Sequence, residues 1–86
     1  MKSIDIQNQI EEWCHTKNFN APYGILTGKY KNKKGREYLS ITFGRARTLD
    51  ATVEIYNQNF MILRTSRNQS EVYKSIDDLM IELEKL

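Results

Sequence analysis

The stretch Glu37-Tyr38-Leu39-Ser40-Ile41-Thr42-Phe43-Gly44 decides the fold. Leu39, Ile41 and Phe43 alternate with Tyr38, Ser40 and Thr42, a period of two that gives a strand one core face and one polar face. The preceding run, Tyr23 to Lys31, is rich in β-forming residues and is separated from residues 37–44 by Asn32-Lys33-Lys34-Gly35, a turn composition. The two runs read as a hairpin. Arg45 to Asp50 reads as the next connection. Beyond it Ala51, Val53 and Ile55 alternate with Thr52, Glu54 and Tyr56, and Asn57-Gln58-Asn59 turns the chain into Phe60-Met61-Ile62-Leu63. This fourth run lacks alternation at its start, as expected of a central strand or one covered on both faces.

A helix is expected on each side of these strands. Ile6, Ile10, Trp13 and Cys14 fall at i, i+4, i+7 and i+8, on one helical face, with Gln7, Asn8, Glu11, Glu12 and His15 elsewhere. Ser3 or Asp5 can cap its start and Lys17-Asn18 its end, before Asn20-Ala21-Pro22 forces an extended connection. At the other end, one long helix from Ser70 competes with a short strand, Glu71 to Tyr73, followed by a helix. The second is favoured, because Ser75-Ile76-Asp77-Asp78 has capping-box spacing, and Ile76, Leu79, Met80 and Leu83 form a stripe. The expected architecture is therefore α+β: a four- or five-stranded antiparallel sheet with an N-terminal and a C-terminal helix on one face, in the order α-β-β-β-β-(β)-α. With 86 residues there is room for one core, so residues 1–86 read as a single domain.

Cys14 is the lone cysteine, no zinc-ligand spacing surrounds it, and no apolar run approaches membrane-spanning length; a reducing, cytoplasmic compartment fits. Catalytic chemistry finds little support. Cys14 and His15 project about 100° apart around a helix and cannot share a face. Glu11-Glu12 and Asp77-Asp78 are explained as solvated helix positions and capping. The glycines, Gly24, Gly28, Gly35 and Gly44, build no phosphate-cradling loop. Neither an enzyme nor a bound metal or cofactor is expected.

Charge distribution points elsewhere. The net charge is +2, yet residues 29–67 carry nine basic side chains against three acidic ones, while the flanking segments are acidic. Lys29 and Lys31 share one side of the first strand, Lys33, Lys34 and Arg36 crowd its turn, and Arg45 and Arg47 follow the second. Tyr30, Tyr38 and Tyr56 are interleaved with them. Lysine on a hairpin also serves solubility and edge protection. As a binding surface, Lys29, Lys31, Lys33, Lys34, Arg36, Arg45 and Arg47 would contact phosphates and Tyr38 and Tyr30 would stack on bases, RNA before DNA.

The stretch from Ile10-Glu11-Glu12-Trp13-Cys14 through Pro22-Tyr23 resembles the opening of a double-stranded RNA-binding domain, an amphipathic helix with an acid-aromatic pair followed by a proline-aromatic entry to the first strand. The resemblance implies that Glu12 approaches an RNA minor groove and that Lys33-Lys34-Gly35 reaches the next. It covers about fourteen residues. The chain departs from that family in opening its second helix with Ser75-Ile76-Asp77-Asp78, where the family has phosphate-gripping lysines, and in having an extra strand.

The sequence thus reads as a small nucleic-acid-binding module. The alternative is a protein-binding inhibitor or adaptor, such as a phage-type accessory protein acting on a host factor or ribonucleoprotein, which would use free strand edges. A homodimer through a sheet edge is compatible with both.

Overall fold

The computed structural model describes residues 2–17, 24–45, 48–65 and 69–85, the side chains of 45 and 48–50 excepted. Its elements run α1 (Ser3–Thr16), β1 (Ile25–Lys31), β2 (Glu37–Arg45), β3 (Thr48–Asn57), β4 (Phe60–Thr65), β5 (Ser70–Tyr73) and α2 (Ile76–Leu83). The strands form one antiparallel meander in the order β1-β2-β3-β4-β5. The expected α+β arrangement is present, with five strands. The Asn20-Ala21-Pro22 connection, Tyr23, Asn18 and Arg47 lie outside the described residues.

Alternation assigns the two faces of the sheet. Leu39, Ile41 and Phe43 of β2 and Ala51, Val53 and Ile55 of β3 turn to the same side, because Leu39 pairs with Ile55, Ile41 with Val53 and Phe43 with Ala51. Met61 and Leu63 continue this face on β4, opposite Ile55 and Val53. Over it lie Ile6, Ile10 and Cys14 of α1 and Leu79 and Leu83 of α2, which complete one buried cluster. Trp13 closes its edge, meeting the Phe43 ring edge-on at 5.6 Å, and its indole N–H donates to Glu84 at 2.6 Å. Both helices therefore cover one face. Burying a side chain of the Leu or Ile class contributes about 1.5–3 kcal/mol, whereas α2, at eight residues, is too short to be stable in isolation. Packing of its apolar stripe holds it in place.

The ends of the helices show where local rules were met and where they were overridden. Ser75 caps α2 by accepting the Asp78 backbone N–H at 3.2 Å, as its spacing predicts. At α1 the N-cap is Lys2, and Asp5 contributes by accepting the Lys2 backbone N–H at 3.1 Å, so Ser3 is the first helical residue instead of the cap. Gln7, expected away from the core face, is buried. It sits one turn before Ile10, on the flank of the helix above the sheet, and its amide donates to the Ser40 carbonyl at 3.0 Å, which offsets the cost of removing it from water.

The connection expected over Arg45 to Asp50 is shorter than its polar composition predicts. Gly44 pairs with Leu49 and Arg45 with Thr48, with a register shift after Phe43, so the ladder continues through residues 48–50. Thr48 suits a strand, and Asp50, which does not, falls at the register shift between the Phe43–Ala51 and Gly44–Leu49 pairs. β4 is an interior strand, as its non-alternating start predicts.

Candidate nucleic-acid interface

The sheet face away from the helices carries a row of aromatic rings. Tyr30 and Tyr38 are partners across β1 and β2, with ring centroids 6.0 Å apart. Tyr38 and Tyr56 follow at 5.1 Å, and Tyr56 and Phe60 at 5.2 Å with their planes within 26° of parallel. Four rings thus cross four neighbouring strands. Because a stacked base needs about 3.4 Å on each side, rings spaced 5–6 Å apart cannot admit one between them; a base must lie on the row.

The β1–β2 turn sets a cation over this row, and Asn32 shapes the turn. Its side-chain oxygen accepts the backbone N–H groups of Lys34 and Arg36 at 2.9 and 3.0 Å. Its own backbone N–H donates to the Arg36 carbonyl, and its carbonyl accepts from Gly35. Gly35 takes φ 81°, a conformation that side-chain-bearing residues adopt at a cost. The Asn32 amide also donates to the Tyr56 hydroxyl at 3.3 Å, tying the turn to the ring row. Arg36 leaves this turn with its guanidinium carbon 5.3 Å from the Tyr56 centroid and 5.8 Å from that of Phe60, a cation–π arrangement.

Beside the row, Glu54 and Arg64 form an ion pair, Arg64 Nε donating to Glu54 Oε2 at 2.6 Å, while Arg64 Nη1 donates to Ser70 Oγ at 2.9 Å. The hydrogen bond to Glu54 raises the Arg64 pKa above its ordinary value, so the guanidinium remains charged. Burial, and then the Glu54 charge, raise the Tyr38 pKa, so this phenol remains neutral. Rings, turn and ion pair enclose an open hollow of about 630 Å³, whose lining includes Lys31, Lys33 and Lys34.

The residues expected to form one basic surface are divided by the fold. Lys33, Lys34, Arg36 and Tyr38 meet at the hollow, and Lys31, the last residue of β1, reaches its rim. Lys29 does not join them. It pairs with Leu39 on the helix-bearing side, opposite in pleat to Tyr30, and its ammonium lies 3.4 Å from Glu37. Arg45 ends β2 at the end of the sheet remote from the turn, roughly 26 Å along the strand at 3.3 Å per residue. Arg47 lies outside the described residues. A run of cations along a β chain therefore does not make a patch, because successive residues alternate faces and a strand carries its two ends apart.

Sequence reasoning missed Asn32, Phe60, Ile62, Glu54 and Arg64 as members of this site. The signal for Phe60 and Ile62 was the non-alternating start of β4: with Met61 and Leu63 in the core, the intervening apolar residues must lie on the other face. The Glu54–Arg64 pair depends on the β3–β4 register, which places Arg64 opposite Thr52 and diagonal to Glu54. The expected inert pair is arranged as anticipated: Cys14 is buried, with its pKa pushed up to about 12 by burial and then by Glu11, and His15 is exposed.

Compared with protein-family models, curated proteins and solved structures, the chain matches none. No helix among the described residues is long and apolar enough to cross a membrane.

Proposed function

We propose that this chain is a non-catalytic module that binds single-stranded nucleic acid, RNA in the first place, on the open face of its sheet. One observation carries the reading: the Tyr30–Tyr38–Tyr56–Phe60 row, with Arg36 over it and Lys31, Lys33 and Lys34 at one end. Aromatic faces stack on unpaired bases, and neighbouring cations track the phosphates between them. Such stacking needs bases that are splayed out, as in RNA loops and ends, whereas a duplex hides its base faces. An exposed Tyr30, the half-buried rings of Tyr38, Tyr56 and Phe60, and clustered cations on one sheet face are the chemistry of that ligand.

The resemblance to a double-stranded RNA-binding domain supports a different mode, through Glu12 on α1 and the Lys33-Lys34-Gly35 turn. Glu12 is exposed on the helix that covers the other face of the sheet, so the two modes use different surfaces. Fluorescence anisotropy with single-stranded RNA, duplex RNA and duplex DNA, at low and physiological salt, separates them. The proposal expects the single strand to bind best and to weaken steeply with salt. Changing Lys33→Glu and Lys34→Glu together should then lower the salt slope by roughly 1.4, about 0.7 for each phosphate no longer neutralised. Absence of binding to all three probes at low salt would overturn it and leave the reading of a protein-binding inhibitor or adaptor, for which Leu26 and Val72, exposed on the two edge strands, offer apolar contact.

A further inference from the structure

Glu54 is an unusual residue to find among stacking rings. Its side chain is only 12% exposed, it lies on the open face between Ser40 and Ile62, and it lines the hollow together with Tyr38, Tyr56, Phe60 and Arg64. A carboxylate repels phosphate, so its place here weakens nonspecific attraction for a nucleic acid. Charge attraction to Arg64 accounts for one lone pair on Oε2. The carboxylate has capacity for further hydrogen bonds, and Arg64 has N–H groups beyond those given to Glu54 and Ser70.

We propose that Glu54 and Arg64 read the edge of a stacked base and select guanine; this rests on the single-strand reading above. Donor and acceptor patterns single out guanine. An ionised carboxylate only accepts, and two adjacent N–H donors satisfy both of its oxygens. Guanine alone presents such a pair, N1–H beside the N2 amino group, with the O6 acceptor next to N1–H. Arg64, a donor only, stands beside Glu54 in the complementary order. Adenine and cytosine offer one amino group next to a ring nitrogen lone pair, which would face the carboxylate and be repelled. Uracil offers one N–H flanked by two carbonyl oxygens. Tyr38, which lines the same hollow, supplies the stacking surface from which a base edge reaches the pair, and the low exposure of Glu54 strengthens the discrimination, since a mismatched base strands a carboxylate already removed from much of its water.

The test uses the full chain and end-labelled octauridylates that carry guanine, adenine, cytosine or hypoxanthine at one central position. The guanine probe should bind about tenfold more tightly than the adenine and cytosine probes, the scale expected of one bidentate base contact. Hypoxanthine, which keeps N1–H and O6 but lacks the N2 amino group, should lose most of that preference. Glu54→Gln retains an acceptor for Arg64 and should bring the guanine probe to the level of the others, while all four bind somewhat more tightly at low salt because a charge that repels phosphate is gone. Equal, salt-dependent binding of all four probes overturns guanine selection and leaves the single-strand reading standing. No binding of any probe overturns both. Should E54Q fail to fold, the four probes on the unaltered chain decide the matter.

Discussion

Replacing Gly28 with alanine should separate stability from binding. Gly28 pairs with Ser40 on the open face, and the Tyr30 ring folds back over it: a Cβ built there lies 2.6, 2.7 and 2.8 Å from Tyr30 Cε2, Oη and Cζ. Ordinary carbon contacts need about 3.5–4.0 Å, so the ring must withdraw by about 1 Å. It can do so, because Tyr30 is 54% exposed and the clashing atoms are the far end of its side chain. Two contributions to stability then oppose one another. Removing glycine from a strand interior gains about 0.5–1 kcal/mol. Disturbing the Tyr30–Tyr38 pair costs about 0.5–1.5 kcal/mol. The melting temperature should therefore stay within a few degrees of wild type, at about 4–8 °C per kcal/mol for a domain of this size. Binding of single-stranded RNA has no such offset. Loss of one stacking face is worth about 1–3 kcal/mol, so affinity should fall by roughly 5-fold to 150-fold in anisotropy titrations. A fall of more than about 15 °C in melting temperature would show that the ring cannot withdraw, and unchanged affinity with a displaced ring, read by nuclear Overhauser effects, would remove Tyr30 from the site.

Three further outcomes follow from the same geometry. Cys14, buried with a thiol pKa of about 12, should resist thiol reagents at pH 8 in the folded protein and react at once in denaturant; rapid labelling under native conditions would contradict its burial. Lys17, and then the Trp13 N–H, hold the Glu84 pKa below its ordinary value. Its contribution should be complete above the unfolded pKa, about 4.3, and be lost as pH falls through the lower folded value. Emission of Trp13, the single tryptophan, should report this transition, and Glu84→Gln should abolish it. Ser75→Ala removes the α2 cap and should cost about 1 kcal/mol in chemical denaturation, whereas Ser75→Asp should restore most of it.

Much of the fold was legible because its determinants are local. Alternation in residues 37–44 and 51–56 marks core and open faces correctly, and Ser75 with Asp78 marks the start of α2, since pleat and cap each depend on only a few neighbouring residues. Gln7 and residues 48–50 were misjudged for the converse reason: an acceptor supplied by Ser40 and a ladder supplied by β2 come from elsewhere in the chain. The candidate site was only half legible. Its tyrosines and turn cations stand out in the composition, but cations counted along the chain were assigned to one surface that the fold divides.

By itself, then, the sequence determined the elements, the inward-facing residue of each pair and the excess of cations at the first hairpin, all consequences of short-range periodicity and turn chemistry. Tertiary structure alone decided that Tyr30, Tyr38, Tyr56 and Phe60 align across four strands, that Lys29 falls on the opposite face, and that Glu54 meets Arg64. Each of these depends on the register between strands, where a shift of one residue would send a side chain to the other side of the sheet. Register is fixed by turns, bulges and burial of the whole apolar face together, so no single stretch of the chain contains it.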